Sequence, residues 1–394
     1  MKILMVHPHD LYSDLEPWTI RIKKIAIEFI LKGHHVKLIH FPIRKRYDDP
    51  EFIGEKIKVI PLERRVGPHI LLRNIGFLLK LISWCDVVHF QKCFYYSSLP
   101  VLIAALFKDK PVHYDWDDWE TKIFYYSNPH QGIIGEFVNI FEKLIPKIVD
   151  TVSVSSRYLF DISVARGVRP ENIFFAPVGA DLEQFNSKSE KKINVKSIYD
   201  VKGDMVLYSG QLHGGQYVEL LINAAKIVVE NNPDIVFMIV GDGYRMKELQ
   251  NLVCRLGLIR NFIFTGIVEH GRIQDYIIDA DICVACFEDN EITRCKSPLK
   301  VVEYLACGKA VVASNVGEIK KMVGGLGVLT QPGNSDSLAW GINLLINDKQ
   351  LRQRLARYSR ERVLKRYNWP TTAENILSAY KKSIQKRKSN QKTE

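Results

Sequence analysis

The chain has 394 residues, of which 46% are hydrophobic and 25% are charged. These proportions are ordinary for a globular protein and exclude a disordered, collagen-like or disulfide-scaffold chain. The length is sufficient for two α/β domains. The formal net charge is +11, but no nucleic-acid-binding motif accompanies it, so no nucleic-acid partner is expected.

The first half of the chain alternates short apolar runs with one clear helical period. Residues 2–6 and 35–41 are predicted strands, and residues 20–32 between them have the spacing of a helix that ends at Gly33. A strand, a helix and a strand in about forty residues indicate a parallel sheet. Further strands are predicted at 58–61, 86–90, 111–114, 150–155 and 173–176.

The second half repeats this alternation after a polar stretch at 179–200, which is the predicted linker. Strands are predicted at 205–209, 235–240, 262–265, 281–287 and 310–314, and helices at 217–230, 244–256, 272–280 and 298–307. The prediction is an α/β protein with Rossmann-like, doubly wound domains at 1–178 and 201–366 that face each other across a cleft. Ligands of such folds bind at the carboxyl ends of the strands.

Cysteine usage and hydropathy limit the other classes of protein. Seven widely spaced cysteines argue against a secreted disulfide framework, and the Cys283/Cys286 pair lacks the second close pair of a zinc site. No segment has the ~18–20 apolar residues of a membrane span, and the first apolar run is too short for a signal peptide. We therefore expect a cytoplasmic protein.

The start of the helix predicted at 298–307 has the features of an anion site. Ser297 is a suitable N-cap and Pro298 suits the first helical position. The N–H groups of Leu299 and Lys300 would then be available to a phosphate. Glu303, one turn further along, would accept hydrogen bonds from the hydroxyls of a ribose. An ordinary capped helix with a surface glutamate is the alternative.

This segment and four others resemble the donor-binding half of family-4 retaining glycosyltransferases, which have the GT-B fold. The motifs are 297–314, 208–224, 237–243, 262–266 with 280–281, and 367–369. The resemblance implies a nucleotide-sugar donor, transfer with retention at the anomeric carbon, no enzyme nucleophile and no metal or other cofactor. It also implies a last helix at 367–388 that crosses back to the first domain.

The matching positions give a predicted donor-binding set. Its members are Gly210, Gln211, Gln216, Gly241, Ser297, Pro298, Leu299, Lys300 and Glu303. The family has Arg and Lys where this chain has Gln211 and Gln216, and Glu where it has Cys295. Because two phosphates need a cation, Lys300 is predicted to replace the missing charge and to act in catalysis; Arg294 and Lys296 are the alternatives.

An acidic segment follows the strand predicted at 111–114. It contains Asp115, Asp117, Asp118 and Glu120, interleaved with two tryptophans. Asp117 occupies the place of the family's histidine near the sugar and is a predicted catalytic residue. Trp116 is a predicted acceptor contact. A metal clamp of the Asp-x-Asp type and a turn with solvated acids are the alternatives.

Acceptor contacts and membrane contact complete the predictions. His7, Trp18 and Arg21, near the end of the first strand, are candidate acceptor contacts, with a structural role as the alternative. The basic C-terminal tail, 381–394, is either a solvated helix end or a region attracted to the inner face of a membrane. The apolar helix at 68–84 is either core, which we favour, or a membrane-surface helix.

The predicted function is that of a retaining glycosyltransferase, with a hexosyltransferase-like activity. It would move a sugar from a nucleotide-sugar to an unidentified glycan, lipid-linked or small-molecule acceptor. A nucleotide-sugar-binding scaffold protein that has lost the chemistry is one alternative. Another GT-B enzyme, such as a nucleotide-sugar epimerase, is the other.

Overall fold

The computed structural model describes residues 1–12, 16–43, 52–54, 56–65, 67–127, 130, 132–186 and 191–390. These residues form two compact units. The first is Met1–Pro177 together with the C-terminal helix that begins at Trp369, and the second is Val178–Asn368. Both are α/β units built on a parallel sheet.

The sheet of the first unit has the strand order β3-β4-β2-β1-β5-β6-β7-β8. Its pairs are parallel except for β3 with β4. The side chains of β1 from Ile3 to Val6 are fully buried, as expected for a strand covered on both faces. The strands are β1 Lys2–His7, β2 His35–His40, β3 Phe52–Ile53, β4 Ile57–Pro61, β5 Val87–Gln91, β6 Val112–Trp116, β7 Thr151–Val154 and β8 Ile173–Phe175.

Helices of the first unit connect and cover these strands. The C-terminal helix belongs to this unit because Tyr380 is buried among its strands and its hydroxyl bonds His89 Nδ1 at 2.8 Å. The helices are α1 Pro17–Leu31, α2 Pro68–Trp84, α3 Tyr95–Phe107, α4 Glu120–Ser127, α5 Gly132–Ile148 and α6 Arg157–Ala165, with α16 Trp369–Asn390 at the C-terminus.

The second unit has a parallel sheet with the strand order β11-β10-β9-β12-β13-β14. The strands are β9 Met205–Ser209, β10 Val236–Val240, β11 Phe262–Gly266, β12 Ile282–Ala285, β13 Ala310–Ser314 and β14 Val328–Thr330. The helices are α7 Val195–Ile198, α8 Val218–Asn231, α9 Met246–Arg255, α10 His270–Asp279, α11 Glu291–Cys295, α12 Leu299–Ala306, α13 Ile319–Val323, α14 Ser335–Asn347 and α15 Lys349–Arg366.

The segment predicted as a linker, 179–200, is partly packed on the second unit. Lys191 Nζ lies 2.5 Å from Asp279 Oδ1, and Lys196 Nζ lies 2.6 Å from Asp281 Oδ2. Val195 is fully buried. Residues 187–190 of this stretch lie outside the described part of the chain. Composition suggested a linker because the segment is polar, but its lysines are bound by two aspartates of the unit.

The two segments considered for membrane contact are held by ordinary packing. In α2, Ile70, Leu78 and Ile82 are buried, which favours the core interpretation for that face. In the basic tail, Arg387 pairs with Asp150 and Asp109. Lys392 and Glu394 lie outside the described residues. Within the described residues, no helix combines the length and the apolar character that crossing a bilayer requires.

Candidate functional site

Two glycines let the ends of β9 and β10 meet side by side in the second unit. Gly210 and Gly241 have backbone φ values of 143° and 140°, which residues other than glycine rarely adopt. Gly210 N–H donates to Val240 O at 2.9 Å, and a Cβ on Gly241 would overlap the carbonyl of Gly210. The loop that follows β9, residues 210–217, is therefore held at the carboxyl edge of the sheet.

Lys300, in the first turn of α12, extends to this loop. Its Nζ lies 3.8 Å from the ring centroid of Tyr208 and 3.3 Å from Gln216 Oε1. A Cβ on Gly210 would lie only 2.7 Å from the same Nζ, so glycine at that position leaves room for the ammonium. The structure thus brings together Lys300, Gly210 and Gln216, which the sequence had grouped as a donor site.

The two alternative cations point to different partners. Lys296 Nζ donates to Gly215 O at 3.1 Å, so it too is at the loop. Arg294 instead forms a double contact with Asp289, at 2.6 and 3.0 Å. Two lysines, held by an amide oxygen and a backbone carbonyl, therefore lie beside the loop in which the sequence has glutamines.

Burial and mutual repulsion disfavour the charged forms of Lys300 and His213 beside this loop. Burial, with Lys296 adding to it, lowers the pKa of Lys300 to about 7, although Glu303 acts in the opposite direction. Burial and the two lysines lower the pKa of His213 to about 4. His213 Nε2 lies 2.8 Å from Gln211 Oε1, so Gln211 is occupied by a neighbour in its own loop. An anion would relieve this repulsion.

Glu303 is buried, which removes the alternative of a surface glutamate. Its side chain is in the interior of the unit, and Oε1 lies 3.9 Å from His270 Nε2. Burial raises the pKa of Glu303 to about 8, and nearby Asp181 raises it further, while Lys300 opposes both. A protonated carboxyl both donates and accepts hydrogen bonds, as contact with a diol requires.

The start of α12 differs from the prediction in its cap. Ser297 does not cap the helix, because its Oγ accepts a hydrogen bond from the N–H of Val178 at 3.3 Å. Pro298 is the N-cap rather than the first helical residue, and the helix begins at Leu299. Pro298 has no side-chain hydrogen-bonding group, so the start of the helix has no side-chain cap.

In the first unit, Arg21 and Asp115 form a buried ion pair. Arg21 Nε lies 2.7 Å from Asp115 Oδ2, and Nη2 lies 2.8 Å from Oδ1. Nη2 also donates to Ala176 O. Arg21 holds the pKa of Asp115 well below its usual range, despite burial. Since the pair is about 1% exposed, Arg21 joins α1 to β6 rather than presenting its charge to solvent.

Lys92, which the sequence analysis did not single out, lies at the centre of the other acids of this segment. Its Nζ is 2.8 Å from Asp117 Oδ1, 3.0 Å from Asp118 Oδ2 and 2.5 Å from Glu120 Oε1. Lys92 is 3% exposed and has a left-handed φ of 65°. That conformation is uncommon for lysine, and the three ionic contacts hold it there.

The contacts of Lys92 affect the protonation of the three acids around it. Oxygens of Asp117, Asp118 and Glu120 lie within 4.8 Å of one another, a spacing that would suit a metal ion, but the ammonium of Lys92 contacts all three. Burial lowers the pKa of Lys92, yet the carboxylates outweigh it and raise that pKa well above its usual value. Burial and the neighbouring acids raise the pKa of Glu120 to about 8.

Two of the predicted acceptor contacts, His7 and Trp18, are near this cluster. His7 is fully buried between Gln91 Oε1, at 2.9 Å, and Thr19 Oγ1, at 3.2 Å, and burial lowers its pKa to about 3. Gln91 Nε2 lies 3.2 Å from Asp117 Oδ2. Trp18 is half-buried, with its ring 5.1 Å from that of His7 and 5.2 Å from Lys92 Nζ.

Trp116 is separate from this group. It is fully buried, and its Nε1 donates to Glu142 Oε1 at 2.9 Å. Its ring therefore has no face open to an acceptor in this structure. Trp116 is the last residue of β6, a strand whose residues are all buried. The alternation of acids and tryptophans suggested an accessible ring, but the position of Trp116 in this strand buries it.

Comparison with known proteins gives this arrangement a context. Residues 189–362 match the family described as glycosyl transferases group 1. The match lies within the second unit and covers less than half of the chain. An uncharacterized glycosyltransferase of Methanocaldococcus jannaschii is 29% identical over 203 residues, half of each chain. The chain spans about half the length of the curated relatives it matches.

Solved structures are similar over almost the whole chain. Sucrose-phosphate synthase from Thermosynechococcus elongatus has a TM-score of 0.76 at 19% identity, over 96% of this chain and 98% of its own. HepE of Anabaena, in complex with UDP and glucose, has a TM-score of 0.74 at 21% identity, over 96% and 98%. At such identities the likeness shows the fold alone, and that fold is GT-B.

Proposed function

We propose that the protein is a family-4-type retaining glycosyltransferase that binds its nucleotide-sugar in the second unit. The observation that supports the proposal is the contact of Lys300 with the loop after β9, at a point where Gly210 has no side chain to exclude the ammonium. Lys296 approaches the same loop. HepE, with a similar fold, is a complex with UDP and glucose, so UDP-glucose is the first donor to test.

In the proposed reaction, the bond between the anomeric carbon and the diphosphate breaks. The acceptor oxygen bonds that carbon on the same face, and the acceptor proton goes to the leaving phosphate. Lys300 stabilises the charge that develops on the leaving group, and Glu303 holds the ribose. Gln211, Gln216, Gly241 and Leu299 complete the proposed donor contacts.

The acceptor is proposed to contact the first unit, where His7, Trp18 and Asp117 lie together. It would be a glycan, a lipid-linked molecule or a small molecule. Asp117 is retained as the proposed catalytic contact of that unit. The ammonium of Lys92 already contacts all three acids of this cluster, so we propose a reaction that needs no metal.

A donor assay tests this function. The chain is expected to release sugar from UDP-glucose or a related donor slowly in the absence of acceptor, and nuclear magnetic resonance should show the α anomer first. Release of the β anomer would contradict retention. Tight UDP binding without any release would favour the scaffold alternative, and an epimerised nucleotide-sugar would favour the epimerase.

Variants of the cations test the proposed role of Lys300. Lys300→Met should lower kcat more than it raises KM, because the charge on the leaving group develops in the transition state. Arg294→Met is the matched control, since Arg294 is paired with Asp289. Normal kinetics for Lys300→Met, with a loss in Lys296→Met, would transfer the role to Lys296.

A further inference from the structure

Helix α5, Gly132–Ile148, carries an apolar stripe that no described part of the chain covers. Five large side chains follow one another at spacings of three or four residues, so they share one face. Their exposed fractions are 79% for Ile133, 55% for Phe137, 48% for Ile140, 51% for Leu144 and 60% for Ile148. The stripe extends about 22 Å along the helix, at 1.5 Å per residue.

The helix cannot turn this stripe inward, because its opposite face is fixed by a buried carboxylate. Glu142 accepts hydrogen bonds from Trp116 Nε1 at 2.9 Å and from the backbone N–H groups of Glu120 and Thr121 at 2.7 and 3.0 Å. It also accepts from Thr121 Oγ1. Rotation of the helix would leave these donors and a buried charge without partners, which is costly.

Charges beside the stripe favour an anionic partner. Lys143 and Lys147 are exposed on this helix. Glu136 is the exposed acid of α5, and its carboxylate accepts hydrogen bonds from Tyr125 and Asn139. An apolar stripe flanked by lysines fits the headgroup region of an anionic bilayer, where the aliphatic stems lie along the apolar surface and the ammonium groups contact phosphates.

We propose that α5 docks the protein on an anionic lipid surface. The helix lies in the plane of the membrane, with the stripe at the boundary between headgroups and acyl chains and the two lysines at the lipid phosphates. This surface is distinct from α2 and from the basic tail, the two segments that the sequence analysis considered for membrane contact. It would place the first unit beside a lipid-linked acceptor, and that last point rests on the proposed function.

Vesicle sedimentation of the full chain tests the proposal. Binding is expected to vesicles of phosphatidylglycerol with phosphatidylcholine, and to be much weaker with phosphatidylcholine alone. The double variant Phe137→Glu with Leu144→Glu should lower the affinity about tenfold or more, because it removes two apolar side chains that would insert into the bilayer and adds two anions. Leu72→Glu with Phe77→Glu on α2, where the exposed fractions are 68% and 52%, is the matched control and should bind normally.

Charge reversal separates the two parts of the surface. Lys143→Glu with Lys147→Glu should abolish the preference for anionic vesicles, whereas Lys80→Glu on α2 should leave it unchanged. Normal binding by the Phe137/Leu144 variant would overturn the proposal, as would equal loss in the α2 control. A wild-type dimer that the same variant dissociates, seen by light scattering, would assign the stripe to a second copy instead. Sugar release without vesicles is measured separately, so a failure here leaves the donor chemistry standing.

Discussion

Two lysines, one in each unit, have opposite electrostatic surroundings, and Lys92 is buried whereas Lys300 is half-buried. Lys92 in the first unit contacts three carboxylates within 3.0 Å, and Lys300 in the second contacts an amide oxygen and an aromatic ring. Burial lowers the pKa of both. At Lys92 the carboxylates outweigh burial and the pKa rises, whereas at Lys300 burial prevails and the pKa falls to about 7.

The difference separates a structural charge from a charge suited to binding. Lys92 is neutralised within the unit, as is Arg21 by Asp115. Lys300 approaches a glycine-containing loop and has no carboxylate within ion-pair distance among the described residues. A ligand that brings phosphate to Lys300 would supply what Asp117, Asp118 and Glu120 supply to Lys92.

The largest effect is expected from breaking the neutralised pair of the first unit. Arg21→Met should lower the free energy of unfolding by about 3–5 kcal/mol, because Asp115 would remain buried without its partner. Urea denaturation measures this. Arg157→Met, which removes an exposed pair with Asp161, should cost only about 0.3–0.5 kcal/mol. A loss below that of the control would mean that Arg21 is not the counter-ion we describe.

Lys92→Met is expected to cost somewhat less, about 2–3 kcal/mol, because Glu120 can remain protonated and reduce the repulsion. The three carboxylates would then be left without their cation. Mn²⁺ should therefore raise the melting temperature of this variant and leave that of the wild type unchanged. A wild-type protein stabilised by Mn²⁺ to the same extent would contradict the role of Lys92.

Glu303→Ala should weaken UDP-sugar binding by about 1–3 kcal/mol, from lost hydrogen bonds to the ribose. Isothermal calorimetry measures the affinity, and circular dichroism confirms the fold. The control is Glu291→Ala, an exposed glutamate in the short helix α11 that precedes α12. Equal affinity in the two variants would remove Glu303 from the donor site.

The pH dependence of stability should differ between wild type and Lys300→Met. The folded pKa of Lys300, about 7, lies below the ordinary 10.5, so between these values the unfolded chain binds more protons. The free energy of unfolding should therefore rise with pH across this window, and the contribution of Lys300 should be absent from the variant. Parallel urea titrations from pH 7 to 10 measure the difference. Identical slopes would contradict the lowered pKa.

The smallest effect is expected from EDTA. Since Lys92 takes the central position among Asp117, Asp118 and Glu120, chelation should leave donor hydrolysis unchanged. Loss of activity that Mg²⁺ or Mn²⁺ restores would reassign these acids to a metal.

Much of the fold could be predicted because parallel, buried strands form continuous apolar runs. The strands β1, β2, β5, β9, β10 and β12 lie where those runs predict them. The approach of Lys300 to the loop could be predicted in outline. Lys300 lies at the start of a helix and the loop lies at the end of a strand, and both of these positions could be read from the sequence. The cap could not, because Ser297 is bound by the distant N–H of Val178.

Lys92 was missed because its partners lie 25 to 28 residues further along the chain, at the end of the next strand. Only the pairing of β5 with β6 brings the two strand ends together. Helix α5 was missed for a different reason. Its periodicity marks an apolar face but does not say which face is buried, and here the hydrogen bonds of Glu142 direct the carboxylate inward and the apolar stripe outward.

Proton uptake on UDP binding tests the central claim most directly. Calorimetry at pH 8 in two buffers of different ionisation enthalpy gives the number of protons exchanged, and UDP is fully ionised there. If Lys300 binds the diphosphate, the anion should raise its lowered pKa, so the wild type should take up about one proton more than Lys300→Met and should bind UDP more tightly. Equal proton exchange and equal affinity in the two proteins would contradict the account.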